Sequence, residues 1–235
     1  MYAKGRQDFM SAFTYIFRTR AKKDASNVVA VCTEHTGKME GMMSISTSCE
    51  MNDHCRKRAM IKGSICEKCF ARKGFEMRPS MRAKYEHNTR LLTSRVLGDD
   101  ELPILNNLVF RFESFGDLNN STQVINYFNI ARKNPETMFA LWTKNPFYIS
   151  NAIRDGHSKP ANIIIIYSSP MIDTDINTER LLKAFPFIDK VFTVYRSEKK
   201  AAEHGRVINC GTRKCLVCRR CYRKDTEREI SELLK

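Results

Sequence analysis

Residues 163–166 are four consecutive isoleucines, an apolar run with no polar alternation. A strand with one face in water alternates apolar and polar side chains. A strand covered on both faces need not, and parallel strands are covered in this way. Similar short runs at 28–32, 108–112, 138–142 and 191–195 also read as strands. Helical periodicity fills the gaps: 121–133 places Val124, Tyr127, Phe128 and Ala131 on one face, and 147–154 and 177–185 are shorter candidates. The polar stretches that begin at Asp117 and Asp173 supply caps for two of these helices. Strands and helices alternating at this spacing predict βα units, hence an α/β fold with a parallel sheet, open or curled into a partial barrel. Residues 80–97 read as a basic helix and 224–235 as an amphipathic closing helix. A chain of 235 residues is the length of one domain. Within it we assign a Cys-rich segment at 26–80, a βα core at 104–205 and a second Cys-rich segment with its helix at 206–235.

The cysteines fall into two groups. Cys49, Cys55, Cys66 and Cys69 precede the core, and Cys210, Cys215, Cys218 and Cys221 follow it. The opening residues lack the apolar core of a secretory leader, which predicts a reducing, cytoplasmic setting. There, clustered cysteines argue for metal rather than disulfides. A two-residue spacing lets one tight turn aim two sulfurs at one point. Three cysteines in succession at that spacing, with a fourth nearby, lie closer to ferredoxin-type ligation than to the paired knuckles of structural zinc. An iron–sulfur cluster, of the 4Fe–4S type, is therefore the first expectation for the metal, and zinc is the alternative. Whether the groups share one site or hold one each stays open. Cys32 reads as a buried core thiol, and His54 and His204 read as loop histidines.

Charge follows the cysteines. The chain carries 40 Lys and Arg against 26 Asp and Glu, a net +14. Residues 55–73 contribute +6 and residues 206–224 contribute +7, so nearly all of the excess lies beside the thiols. Arg56, Lys57, Arg58, Arg72 and Lys73 in the first window, and Arg213, Lys214, Arg219, Arg220 and Arg223 in the second, are candidates for nucleic-acid phosphates. No apolar run approaches the roughly 20 residues that a bilayer span requires, so a membrane partner is not expected.

In parallel βα folds, ligands gather where the strands end. Polar clusters fall at such ends: 113–117, 143–146, 168–170 and 196–197. From them we select Arg111, Glu113, Asp117 and Lys144 as candidate catalytic residues, able to handle protons or a phosphate.

A series of short motifs carries a resemblance. His35-Thr-Gly-Lys38 is followed by Ser44-Ile-Ser-Thr-Ser-Cys49, by Cys55 and by Cys69-Phe-Ala-Arg-Lys-Gly74. Arg111-x4-Gly116-Asp117, Trp142-Thr143-Lys144 and the terminal cysteines continue the order. This pattern resembles the phage "gene product eighty-eight" family, whose usual Cys-Tyr-Ala-Glu motif is altered here at Phe70 and Arg72. The family has no established activity to carry over. For a phage-encoded chain, the setting implied is the host cytoplasm. The stretch around Cys69 is also similar, more weakly, to the cluster loop of radical-SAM-like partial barrels, although their Cys-x3-Cys-x2-Cys triad is absent.

Two kinds of function are consistent with these features. One is a cluster-bearing enzyme acting on nucleic acid or nucleotides. The other is a zinc-stapled, basic nucleic-acid-binding protein without catalysis, or a virus-encoded adaptor or inhibitor.

Overall fold

The computed structural model describes residues 27–211 and 213–234. Residue 26, the assigned start of the first Cys-rich segment, Lys235 and the opening segment read for a leader lie outside them. Among the described residues, six strands form one sheet: β1 (Ser44–Ile45), β2 (Val109–Phe112), β3 (Met138–Thr143), β4 (Ile163–Ile172), β5 (Lys190–Tyr195) and β6 (Glu229–Leu233). They stand in sequential order and every neighbouring pair is parallel. The single α/β domain is thus built on an open, six-stranded parallel sheet.

A parallel sheet in sequential order makes each crossover right-handed and turns successive connections to the same side. The packing agrees. Helices α3 (Pro79–Ser94), α4 (Ser121–Lys133) and α5 (Phe147–Arg154) follow α1 (Asp53–Ala59) and α2 (Phe70–Met77) in the chain. From α3, α4 and α5 come Leu91, Leu92, Val124, Tyr127, Phe128, Ile149 and Ala152, which cover Phe110, Phe112, Phe139, Leu141, Ile163 and Ile165. The alternate strand residues Val109, Ala140, Ile164, Ile166, Phe192 and Ile230 point the other way. Among the described residues they meet the segment carrying Cys210, Cys215, Leu216, Cys221 and Tyr222. The isoleucine run is therefore shared between the faces, two side chains to each, and all four are fully buried. Complete burial of one such side chain contributes about 1.5–3 kcal/mol.

Three departures from expectation have local causes. Residues 28–32 do not form a strand, and only Cys32 bridges Ser44. Asn88 instead takes both backbone groups of Ala30, donating to its carbonyl and accepting from its amide, each at 2.8 Å. The expected closing helix at 224–235 is the strand β6. It pairs with β5, whose open backbone edge offers an unbroken row of partners. β4 runs to Ile172, past Pro170, because Ser64 and Ile65 pair with its last residues. Helices α1 and α2, and later α6 (Thr178–Ala184) and α7 (Glu198–Glu203), complete the connections. Of these, α6 answers the helix expected at 177–185. No helix among the described residues is long and apolar enough to cross a membrane.

Candidate functional site

The carboxyl ends of β1, β2 and β3 carry a dense polar rim. Glu113 follows β2 with φ of 56°, a left-handed conformation that turns the chain off the sheet. Its carboxylate accepts from the Thr47 amide at 3.2 Å, the Thr47 hydroxyl at 3.1 Å, the Gln123 amide at 2.6 Å and the Tyr127 hydroxyl. Burial nevertheless outweighs these donors and pushes the carboxyl up to about 8. Asp117 is also buried, and accepts from the Thr143 hydroxyl at 2.5 Å and the Lys144 amide at 2.9 Å. Both carboxylates are thus occupied in joining the strand ends.

The first cysteine group sits on this rim. Cys49 follows β1, Cys55 lies in α1, and Cys66 and Cys69 close the loop before α2. Asn52 fixes the loop: its oxygen caps α1 by accepting from His54 and Cys55, and its amide donates to the carbonyls of Asp117 and Leu118 at 2.9 and 3.1 Å. The Cys49 thiol donates to Cys69, and the amides of Ala71 and Arg72 at the start of α2 face the Cys69 sulfur, bringing it down to about 5. Cys55 and Cys66 are pushed up by burial. Half-buried Lys144 is the group's cation. Burial alone would lower it, but Asp117 and the thiols of Cys66, Cys55 and Cys69 raise it instead.

The second group lies on the open sheet face. Cys215 and Cys218 begin and end the one-turn helix α8 (Cys215–Cys218). Arg219, at φ of 50°, reverses the chain and brings Cys221 back toward the sheet. Cys210 is held beside β6 through its bridge to Glu232. Burial pushes Cys221 up to about 12, and the thiols of Cys210, Cys215 and Cys218 add to the shift. Lys38 donates to the Cys210 sulfur at 3.3 Å and to Glu232 at 2.5 Å. Arg111 points from β2 to this face, its guanidinium 4.3 Å from the centre of the Trp142 ring.

Arg111 therefore does not stand with Glu113, Asp117 and Lys144 at the rim; the alternation of β2 turns it toward the second thiol group. Within each group the thiols act on one another, alongside burial and nearby charges such as Asp117 and Lys144 at the rim and Arg111 and Lys38 on the other face. As they stand, however, no three or more His, Cys, Asp or Glu side chains among the described residues are placed to hold a metal ion. Cys32 is buried against Cys49, Phe75 and Tyr85. The basic candidates divide. Arg56 pairs with Asp53, Lys214 with Glu40, Arg220 with Glu227 and Arg223 with Asp225. Arg219 donates to the Leu216 carbonyl. Lys57, Arg58, Arg72, Lys73 and Arg213 have no ion pair among the described residues, and Lys57, Lys73 and Arg213 are exposed. Asn52, Thr47 and Lys38 were missed as site residues. Asn52 had a legible signal, because Asn-Asp-His-Cys is a helix N-cap placed directly before a cysteine.

Among curated proteins and among solved structures, no match was found. The family model described as Gene product 88 matches residues 16–231. That span takes in β1 to β5, the first half of β6 and both cysteine groups, so the chain belongs to the Gene product 88 family, the phage family its motifs resemble.

Proposed function

We propose that the rim group, Cys49, Cys55, Cys66 and Cys69, holds an iron–sulfur cluster and that the protein engages nucleic acid beside it. The observation that supports this is the approach of three of the four thiols, Cys55, Cys66 and Cys69, to Lys144, with Cys49 bonded to Cys69, at the strand ends where parallel βα folds collect ligands. The donor set suits a soft metal, and a bound cluster would supply electron transfer or Lewis acidity at the rim. Lys144 supplies positive charge behind the sulfurs, and Asp117 holds its backbone by accepting from its amide. Because the thiols do not yet form a closed ligand set, binding must draw them together, and metal should order the loop from Cys49 to Cys69.

Beside the thiols, α1 and α2 present Lys57, Arg58, Arg72 and Lys73, with Phe70 at 68% exposure. Free cations next to an exposed ring suit phosphates and a stacked base. Anaerobic purification with iron, sulfide and zinc analysis tests the metal; a colourless, iron-free protein overturns the cluster. Titration of short single- and double-stranded oligonucleotides at two salt concentrations tests the partner. Binding that weakens as salt rises supports it, and absent or salt-insensitive binding removes it.

A second reading has its own support. Glu113 and Asp117 are enclosed and fully engaged, so neither offers a free carboxylate for proton transfer. This favours a zinc-stapled binding protein without acid–base catalysis, the outcome in which zinc alone is found and oligonucleotides bind unchanged.

A further inference from the structure

We propose that Cys210, Cys215, Cys218 and Cys221 form a second metal centre, separate from the rim, and that Arg111 with Lys38 supplies its countercharge. The argument starts from a cation without an anion. Arg111 leaves β2 onto the apolar face formed by Val109, Ala140, Ile164 and Ile166. Its Nε is buried with no hydrogen-bond partner, and its Nη1 reaches only the Met39 sulfur, at 3.5 Å. The Trp142 ring covers the guanidinium, and no salt bridge to Arg111 stands among the described residues. Arg111 is half-buried, and a partly desolvated guanidinium with no counter-ion is costly unless an anion completes the site. The ionisable groups it acts on include the thiols of Cys215 and Cys221 and the Tyr222 hydroxyl.

Neutral thiols do not answer that charge. Four thiolates around a divalent centre do: a zinc ion, or a 4Fe–4S cluster in its 2+ state, leaves a net −2 and releases four protons. Arg111 lies on one side of such a centre and Lys38, already 3.3 Å from Cys210, on another. Arg220 approaches Cys218 while paired with Glu227. Glu232 tempers Lys38, so the shell stays cationic without excess. The backbone reversal at Arg219, φ of 50°, falls between Cys218 and Cys221, where a shared metal would require the chain to turn. Arg111 is on this view a positioning residue for the centre, not a catalytic one. The inference does not depend on the rim cluster, which draws on other cysteines.

The test uses the full chain, stripped of metal and reloaded with zinc, or with iron and sulfide, and titrated against a chromophoric chelator. Cys218→Ser with Cys221→Ser should remove one metal centre per chain, whereas Cys55→Ser with Cys69→Ser should leave that centre in place. Arg111→Leu should weaken retention of the second centre about 10- to 100-fold, as loss of an outer-shell partner does, and Arg111→Lys should recover most of it. Melting of the metal-free chain supplies the opposite sign. With no anion to serve, removal of the buried charge should leave Tm unchanged or raise it. Equal retention in Arg111→Leu, a lower Tm in its metal-free form, or loss of the centre with the rim pair alone would each overturn the proposal. Iron with sulfide, or zinc, in the parent chain identifies which divalent centre is bound.

Discussion

The carbonyl oxygen of Thr47 lies 2.4 Å from where a Cβ on Gly116 would stand. Gly116 also has φ of 72°, so both the space and the backbone require glycine. The close approach brings the loop after β2 against the segment between β1 and Cys49, where Thr47 also donates to Glu113.

Gly116→Ala should therefore destabilise the protein severely, by about 3 kcal/mol or more, because a left-handed strain of 1–2 kcal/mol is joined by a backbone clash. Gly37→Ala is the control: φ is 64° but nothing lies within 4 Å of the added methyl. It should cost only the strain. Denaturant melts of the two variants measure the difference, and equal losses would show that the Thr47 contact does not matter.

Glu113 should make stability fall as pH rises. Its carboxyl goes from 4.5 in the unfolded chain to about 8 when folded, so between these values the folded state binds the extra proton. The stabilising contribution is complete below 4.5 and is lost as pH climbs through 8, at up to about 1.4 kcal/mol per pH unit. Glu113→Gln keeps the shape without the titration. Relative to the parent, its Tm should rise steadily from pH 5 to pH 8, a difference that thermal melts of both proteins across that range measure.

Much of this fold could be read from periodicity alone, and the reasons for the gaps are specific. Strands β2 to β5 announce themselves because both faces are buried, and 163–166 shows it most plainly. β1 spans only Ser44 and Ile45, too short for any period, and the hydroxyls of Ser44 and of Ser46 just beyond it both bond to Ser114. β6 has the sequence Glu-Ile-Ser-Glu-Leu, which suits a helix as well as a strand until a neighbouring edge decides. For the candidate site, spacing suggests two thiol groups; members of each lie near one another, but among the described residues they do not form a set placed to hold a metal. Arg111, expected at the rim, stands two residues before Glu113 yet does not join it. A strand turns such neighbours to the same face only while it stays regular, and the chain leaves the strand at Phe112.

Asn52 should be more important than an ordinary cap. Asn52→Ala removes the acceptor for His54 and Cys55 and the donor to Leu118, with an expected cost of about 1–3 kcal/mol. Asn52→Asp preserves the cap but not the donor, so it should recover part of that loss. Thermal melts rank the three proteins. If the aspartate variant matched the alanine one, the cap would be contributing nothing.

Cys32 and Cys69 both border the apolar cluster around Cys49, Phe75 and Tyr85, yet they should respond differently to removal. Cys32 is bonded through its backbone to Ser44 at 2.8 and 2.9 Å, with its sulfur beside His35 and Tyr85. It fills the base of the cluster, and its loss leaves a small cavity at a cost of about 1 kcal/mol. Cys69 stands at the head of α2, accepts from Cys49 and shares Lys144 with Cys55 and Cys66. Cys32→Ala should therefore leave the metal content of the purified chain unchanged while lowering Tm slightly. Cys69→Ala should reduce iron or zinc per chain and loosen the loop that begins at Cys49, a change that proteolysis within residues 50–69 would register. Should Cys32→Ala lose metal while Cys66→Ala keeps it, Cys32 belongs to the ligand set in place of Cys66, and the rim site is built around β1 rather than around the loop before α2.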